Sequence, residues 1–303
     1  MVIERESRGE PNCIEIPRQA VSCALCGSDD PVLLFEVSGH ERQGIYVNGA
    51  LQPVAEKERI VRCQRCGLVY VNPRLAQTPA IAAYSPEEED VYFQRTRSER
   101  RANNVRLLQQ IEEMLSGPGR VLDIGCGDGL LLDQARRRGW ECWGLEVSGR
   151  LVDRMRADVG LRDIFHGTIH SAAYRSAHFD AVLLVNVIEH LRNPAEVLDE
   201  VARVTRRGGV VAVHTPNAAS LGARLRGANW RHYEPYVHFY YFNADTLRRM
   251  LERSGLVVSG SFELGGPSKV RRWLLAASHH FGLRLDNALG LFARRQGQEQ
   301  RKT

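Results

Sequence analysis

The stretch VLDIGCGDG, residues 121–129, decides the fold of this chain. It opens with a mostly apolar run that is typical of a buried strand, and Gly125, Gly127 and Gly129 follow at once. Glycine permits backbone conformations that a Cβ would forbid and lets a ligand approach the main chain closely. The next segment, residues 130–138, has the pattern of an amphipathic helix, so the stretch predicts a strand, a ligand-binding loop and a helix in succession.

Further strand-like and helix-like segments alternate on the carboxyl side of this loop. The predicted strands are Val121–Ile124, Glu141–Val147, Phe179–Val187 and Gly209–His214, and the predicted helices are Leu130–Arg138, Gly149–Asp158 and Pro194–Thr205. Such βαβ alternation predicts a parallel sheet that is covered by helices on both faces. The expected fold class is therefore α/β, with a Rossmann-like sheet.

An acidic residue, Glu146, ends the second predicted strand. A carboxylate at this point can accept hydrogen bonds from the two hydroxyls of a ribose. A dehydrogenase that binds a nicotinamide nucleotide is one alternative, but its loop usually runs GxGxxG. The EHL motif at residues 189–191, after the predicted strand Phe179–Val187, also has no role there. A plain structural acid at a strand end is the other alternative.

The ordered motifs VLDIGCGDG, GLEVS, FDAVLLVNVIEHL and RRGGVVAVHTPN resemble those of class I S-adenosylmethionine-dependent methyltransferases, over roughly residues 119–265. The resemblance implies an enzyme of that class with S-adenosylmethionine as its cofactor. The cofactor-binding residues that it implies are Asp123, Gly125, Cys126, Gly127, Gly129, Glu146, Val147, Thr168, Asn186 and Val187. Relatives usually carry an adenine-binding acid near Gly167, where this chain reads HGTIH, so Thr168 or a backbone group takes that role here.

Three histidines are candidates for the group that handles a proton or positions the acceptor. His190 lies in the IEHL motif, His214 ends the predicted strand Gly209–His214, and His238 lies in the aromatic segment WRHYEPYVHFYYF, residues 230–242. That segment resembles the substrate-covering insert of the family, so His190 and His238 are the predicted catalytic residues. Each has a structural alternative: His190 can orient its loop, and His214 and His238 can pack in the core.

Two cysteine pairs, in CALCG (residues 23–27) and CQRCG (residues 63–67), predict a metal site. Each C-x-x-C-G turn presents two thiolates from one bend, so Cys23, Cys26, Cys63 and Cys66 complete a closed tetrahedral zinc site. The pairs resemble the N-terminal zinc ribbon of one bacterial subgroup of these methyltransferases. A closed site leaves no position for a substrate, so we expect structural zinc and a ribbon that packs against the methyltransferase domain. An inherited site that binds zinc weakly and a redox role are the alternatives.

Five regions follow from these motifs. They are a flexible leader (1–20), a zinc ribbon (21–75), a helical cap or linker (76–118), the methyltransferase domain (119–265), and a C-terminal helix, last strand and basic tail (266–303). The basic C-terminal segment from Lys269 is consistent either with a helix that covers the sheet or with peripheral contact to an anionic membrane.

The composition is typical of a globular protein and indicates which ligands and compartment to expect. A hydrophobic share of 43% and a charged share of 25% are ordinary for a globular chain, and seven cysteines with no export signal favour metal binding over disulfides. The charged leader lacks an apolar core, so the cytoplasm is the expected compartment. The net charge of +5 is spread along the chain, and no basic footprint for nucleic acid stands out near the ribbon.

Three functions remain at this stage. The first is a methyltransferase for a small polar acceptor, with a sugar or another bacterial metabolite as the substrate and a hydroxyl as the methylated group. The second is an RNA methyltransferase whose zinc ribbon grips the nucleic acid. The third is a non-catalytic scaffold that retains the cofactor-binding fold.

Overall fold

The structure is a computed structural model. It describes residues 17–37, 45–47, 50–52, 57–76, 81–82, 85–264 and 288–296. Most of the predicted leader, most of the C-terminal segment from Lys269 and the end of the basic tail lie outside the described residues. Among the helices described here, none is both long and apolar enough to cross a membrane.

The N-terminal part consists of short antiparallel strands. They are β1 (Arg18–Gln19), β2 (Pro31–Val37), β3 (Ile45–Val47), β4 (Ala50–Gln52), β5 (Glu58–Cys63), β6 (Val69–Val71), β7 (Arg74–Leu75) and β8 (Ile81–Ala82). β5 pairs with β2 on one side and with β6 on the other. The β2–β5 pair lies between the two CxxC turns, while β3 pairs with β4 and β8, and β1 with β7.

The remainder alternates helices with strands. The helices are α1 (Pro86–Leu115), α2 (Leu130–Arg137), α3 (Gly149–Arg154), α4 (Ile169–Ala172), α5 (Pro194–Val204), α6 (Leu221–Arg226) and α7 (Ala244–Arg253). The strands are β9 (Arg120–Ile124), β10 (Glu141–Glu146), β11 (Ile164–His166), β12 (Phe179–Val185), β13 (Thr205–Pro216), β14 (Tyr240–Tyr241), β15 (Leu256–Phe262) and β16 (Ala288–Arg295). A π-helical turn continues α3 over Met155–Val159, and 3₁₀ turns cover Ile188–His190 and Gly227–Asn229.

Seven strands form the central sheet, in the order β11-β10-β9-β12-β13-β16-β15. Neighbouring strands from β11 to β13 are parallel, and β16 runs antiparallel between β13 and β15. The strand order reverses at β9: the chain continues to β10 and β11 on one side of β9, and then to β12 and β13 on the other side. In an open α/β sheet, ligands bind beyond the carboxyl ends of the strands at such a reversal.

Alternation along the inner strands explains why both faces of the sheet are covered. In β12, Val182 and Leu184 point into one hydrophobic cluster, whereas Ala181 and Leu183 point into the other. The first cluster takes its helical residues from α4, α5 and α7, and the second takes them from α1, α2 and α3. Because successive side chains of a strand face opposite sides, a continuous apolar run produces a strand that is buried on both. The expected Rossmann-like sheet is confirmed.

The N-terminal module and the sheet domain share one structure. β14, which belongs to the aromatic segment after β13, pairs antiparallel with β6 and completes a four-stranded sheet in the order β14-β6-β5-β2. The side chains of Leu68 and Tyr70 are fully buried in the same cluster as α5 and α7 residues. The ribbon is therefore built into the core and not attached by a linker alone.

Candidate active site

The loop between β9 and α2 has the backbone that its glycines predict. Gly125, Gly127 and Gly129 have φ values of 68°, 57° and 74°, in the left-handed region that side chains with a Cβ rarely adopt. A Cβ placed on Gly125 would lie 2.7 Å from Cγ2 of Val187. The loop after β9 and the loop after β12 therefore meet at the carboxyl edge of the sheet.

Glu146 organises this edge through its carboxylate. Its Oε2 accepts from the backbone N–H of Gly127 at 2.9 Å, and its Oε1 accepts from Val147 at 2.9 Å and from Ser148 at 3.0 Å. A carboxylate offers about four acceptor positions, so three are already used. A ribose that binds Glu146 through two hydroxyls must therefore displace at least one backbone N–H. The N–H groups of Val147 and Ser148 share Oε1, so either of them can be displaced while the other keeps its hydrogen bond.

Asp123, at the end of β9, is buried with 4% of its surface exposed. Burial raises the pKa of its carboxyl to about 8, and the charges of Glu146 and Asp128 add to that rise. The carboxyl is therefore held mostly neutral at neutral pH until a cation approaches. The amino group of a methionine moiety is such a cation, and its arrival would favour the ionised carboxylate.

The raised pKa of Asp123 predicts a pH-dependent gain in stability for Asp123→Asn. An acid with a raised folded pKa lowers the free energy of unfolding as pH rises from its unfolded value of 3.8 toward about 8. Removing the charge should therefore leave the variant more stable than the parent at pH 8 by about 1–3 kcal/mol, with a much smaller difference at pH 5. Denaturant unfolding at both pH values measures this difference.

Asp180 is the control for that experiment, because its pKa is shifted in the opposite direction from that of Asp123. Its pKa lies below the ordinary value because the Arg120 backbone N–H and the Arg206 guanidinium oppose the effect of burial. Its stabilising contribution is present above the unfolded pKa, so Asp180→Asn should lose stability at pH 8. Equal pH dependence of the two variants would contradict the account given for Asp123.

The other predicted cofactor residues occupy varied positions. The Cys126 side chain is buried against Met155, with 3.7 Å between Sγ and Sδ, so only its main chain is available to a ligand in the loop. Val147 is 70% exposed beside the loop after β10. The Thr168 hydroxyl caps α4 by accepting from the Ser171 N–H, so it is engaged within its own turn.

Asn186 has a left-handed backbone with φ of 55°, directly after β12. Its N–H donates to the His214 carbonyl at 2.9 Å, and its side-chain oxygen lies 2.9 Å from Nδ1 of the same histidine. His214 is buried with Nε2 unpaired, and burial lowers its pKa to about 4. These contacts make His214 a support for the loop after β12.

The first half of α1 lies over the glycine loop, a feature that the sequence motifs did not predict. The Phe93 ring comes within 3.1 Å of a Cβ placed on Gly127. The Arg100 guanidinium lies 5.0 Å from the centre of that ring and binds both carboxylate oxygens of Asp128 at 2.7 Å. These contacts put a helix from outside the central motifs against the predicted cofactor site.

Ion pairs fasten the same half of α1 to α3. Arg150 contacts Glu89 at 2.6 Å and Asp90 at 2.9 Å, and Arg154 contacts Asp90 at 2.7 Å. Each pair is partly exposed, so it is worth little alone. Together they hold the beginning of α1 against α3.

The two predicted catalytic histidines meet in space. The His190 and His238 rings have centroids 4.7 Å apart. Nδ1 of His190 lies 3.0 Å from the Val237 carbonyl, and Nδ1 of His238 lies 2.8 Å from the His232 carbonyl. A carbonyl only accepts, so both Nδ1 atoms carry the proton and both Nε2 atoms present a lone pair. Burial, with His238 adding to it, lowers the pKa of His190 to about 3, and burial also lowers that of His238.

Glu189 lies beside this pair and is 1% exposed. Its Oε2 accepts from the Thr215 hydroxyl at 2.9 Å, while its Oε1 is buried with no hydrogen-bond partner. Burial raises the pKa of its carboxyl to about 7. The Glu189 main chain is fixed as well, because its carbonyl accepts from the Phe239 N–H at 2.8 Å.

The rest of the aromatic segment packs in the core. Trp230, Tyr233 and Tyr241 are buried in one cluster with residues of β2, β5 and β6. Tyr233 makes edge-to-face contacts with Phe35 at 4.8 Å and with Tyr241 at 4.7 Å between ring centroids. These rings anchor the histidine-bearing loop to the sheet of β2, β5 and β6.

The four predicted metal ligands come together at the base of the ribbon. The Sγ atoms of Cys23, Cys26, Cys63 and Cys66 all lie within 4.8 Å of one another. Four thiolates about 2.3 Å from one zinc ion would be spaced by about 3.8 Å, so the cluster fits a tetrahedral ion. Gly27 and Gly67 follow the two turns with φ of 71° and 78°, and their N–H groups donate to the carbonyls of Cys23 and Cys63.

Arginines of α7 hold the cysteine turns against the sheet domain. Arg249 donates to the Cys66 carbonyl at 3.1 Å, and Arg253 donates to the Ala24 carbonyl at 2.8 Å. Both cysteine turns therefore depend on a helix that lies far away in the chain.

The sheet order, the glycine loop after β9 and the acid after β10 together define the class: the Rossmann-like fold of S-adenosylmethionine-dependent methyltransferases. Residues 93–259 match a family model described as a methyltransferase domain. This match spans more than half of the chain, and the chain belongs to that methyltransferase family.

Known proteins agree with that placement. A protein of Mycolicibacterium smegmatis described as a probable S-adenosylmethionine-dependent methyltransferase is 36% identical over 46% of this chain and 52% of its own length. A ubiquinone biosynthesis O-methyltransferase of Ruegeria is 33% identical over 45% of this chain and 60% of its own. The chain thus spans little more than half the length of these relatives. An Aquifex aeolicus methyltransferase structure shares the fold, with 15% identity, a TM-score of 0.51 and coverage of 70% of this chain and 99% of that one.

Proposed function

We propose that this protein transfers a methyl group from S-adenosylmethionine to a hydroxyl of a small polar acceptor, such as a sugar or another bacterial metabolite. The observation that carries the proposal is the juxtaposition, at one edge of the sheet, of the glycine loop and the histidine pair. Val187 contacts the loop at Gly125, and its carbonyl accepts from the His190 N–H at 2.9 Å. Val187 thus links the glycine loop, where the cofactor would bind, to the histidine pair, where the acceptor would bind.

The cofactor, when bound, supplies an electrophilic methyl group next to a sulfonium. Asp123 and the backbone of the glycine loop would hold its methionine part, Glu146 its ribose, and Asn186 with Val187 its pocket wall. Transfer to an acceptor hydroxyl would join its oxygen to the methyl carbon and break the carbon–sulfur bond, which leaves S-adenosylhomocysteine. The hydroxyl proton would pass to an Nε2 lone pair of His190 or His238, or to water. Alignment of oxygen, carbon and sulfur is the main contribution of the protein.

His190 and His238 are the groups that would orient that hydroxyl. Both present an Nε2 lone pair, so either can accept a hydrogen bond from a hydroxyl donor. The carbonyl contacts of their Nδ1 atoms fix the direction of that lone pair. Several curated relatives are named as O-methyltransferases of ubiquinone biosynthesis, which supports an oxygen acceptor over a nitrogen one.

A structural zinc ion in the ribbon belongs to this proposal. The four cysteines have the donor chemistry and spacing of a closed thiolate site, and three of them are buried. The ion would stabilise the turns that carry β5 and β6. Through the β6–β14 pair, those strands support the loop that bears His238.

The test is transfer of labelled methyl groups. We expect purified protein with methyl-labelled S-adenosylmethionine and a bacterial cell extract to label the small-molecule fraction, and excess S-adenosylhomocysteine to abolish the label. The label should survive mild alkali, because methyl ethers resist the hydrolysis that cleaves methyl esters. Label in RNA that disappears on ribonuclease treatment would replace this proposal with an RNA methyltransferase. Cofactor binding without transfer to any fraction would support a scaffold.

A further inference from the structure

The loop after β12 and the aromatic segment bring together three side chains with unused acceptor atoms. Glu189, His190 and His238 each place one ligating atom within 4.8 Å of the others. Glu189 Oε1 is buried without a partner, and the free nitrogen of each histidine is Nε2. Lone pairs gathered in this way repel one another unless a cation or a donor stands between them.

We propose that Glu189, His190 and His238 form a binding site for a divalent transition-metal ion on the acceptor side of the cofactor loop. Two imidazoles and one carboxylate are a common donor set for Mn²⁺, Fe²⁺ and Zn²⁺. Atoms about 2.1 Å from one ion are at most about 4.2 Å apart, so a small inward movement of the side chains completes the site.

The surroundings of the three side chains match those of metal ligands. A metal-binding histidine usually donates its second ring N–H to a carbonyl or carboxylate, which fixes the ring. Val237 and His232 provide those carbonyls here, at 3.0 Å and 2.8 Å. The Thr215 hydroxyl plays the same part for Glu189 by donating to Oε2 and leaving Oε1 free.

This site is separate from the thiolate site of the ribbon and differs from it in chemistry. Three protein ligands leave coordination positions open, unlike four thiolates around a tetrahedral ion. An acceptor oxygen can occupy an open position, and the ion would lower the pKa of a hydroxyl bound there. That role rests on the proposed methyl transfer to a hydroxyl, whereas binding of the ion does not.

The test uses full-length protein that carries one zinc ion per chain, the amount that the four thiolates hold, so that the trio is free of zinc. This protein is titrated with Mn²⁺ and followed by electron paramagnetic resonance without cofactor or acceptor. Thiolates select softer ions, so the ribbon will not take up Mn²⁺. We expect one bound Mn²⁺ per chain and at least a tenfold loss of affinity in Glu189→Gln and in His238→Gln. His232→Gln, which removes an imidazole outside the trio but keeps the backbone carbonyl that holds His238, should bind as the parent does.

Two results would overturn the site: no bound Mn²⁺ in the parent protein, or equal affinity in the parent and both ligand variants. Circular dichroism and zinc content of each variant establish that the fold and the ribbon are intact. A properly folded Glu189→Asn provides a second variant, because its shorter amide also removes the charge. Because the measurement contains no methyl donor, a failure of methyl transfer would leave its outcome unchanged.

Discussion

Glu146→Gln should lower the affinity for S-adenosylhomocysteine about a hundredfold. In the parent protein, the Glu146 carboxylate accepts from the backbone N–H of Gly127 and from two N–H groups after β10. A glutamine that keeps its oxygen toward Val147 and Ser148 turns its amide N–H₂ toward the Gly127 donor. The loop then loses an acceptor, and the ribose loses a charged partner. Two such hydrogen bonds correspond to about 3 kcal/mol, which is about two powers of ten in the dissociation constant.

The matched control is Glu141→Gln at the exposed beginning of the same strand. It changes the net charge by the same amount and lies at the opposite end of β10 from the cofactor edge. Isothermal titration calorimetry with S-adenosylhomocysteine measures all three proteins. Equal affinity in Glu146→Gln and Glu141→Gln would remove Glu146 from the cofactor site.

Cys66→Ser should cost the whole chain at least about 3 kcal/mol of folding free energy, because a structural zinc site contributes to folding directly. The loss should not stay within the ribbon. Cys66 is buried in the same cluster as α5 and α7, and its carbonyl accepts from Arg249. We therefore expect a single unfolding transition at lower denaturant concentration, with zinc content lower by about one ion per chain.

Cys142→Ser is the control for that measurement. Cys142 lies in β10, away from the ribbon, and its Sγ is 3.5 Å from the carbonyls of Leu132 and Trp140. A serine hydroxyl can donate to the same carbonyls, so we expect a change of less than about 1 kcal/mol and unchanged zinc. A separate early transition in Cys66→Ser would mean that the ribbon folds independently, and unchanged zinc and stability would dismiss the site.

Local patterns were sufficient for the central sheet. The apolar run at the start of the glycine loop and the run at residues 179–187 appear as β9 and β12, although β12 ends at Val185. The strand around residues 209–214 is longer than its apolar run and begins at Thr205. Its first residues include Arg206 and two glycines, which carry no hydrophobic periodicity, so only pairing with neighbouring strands defines that end.

Those residues of the candidate site that belong to a contiguous motif could be predicted from the sequence. Those that reach the site through packing between distant segments could not. The acid after β10 and the glycines stand out in the chain because their local conformation requires them. Phe93 and Arg100 do not, because nothing in the pattern of α1 says which loop that helix will cover. Glu189 was visible as part of the EHL motif, but its unpaired oxygen became apparent only when Thr215 and the two histidines were placed around it.

The sequence by itself determined the fold class, the strand faces, the cofactor loop and the two cysteine turns, since each is encoded in residues a few positions apart. Only the tertiary structure decided that β14 completes the ribbon sheet and that α7 holds the cysteine turns. It also decided that His190 meets His238 beside a buried carboxylate. The physical reason is that periodicity records which side of an element is apolar, whereas the partner of that side is selected by packing between segments far apart in the chain.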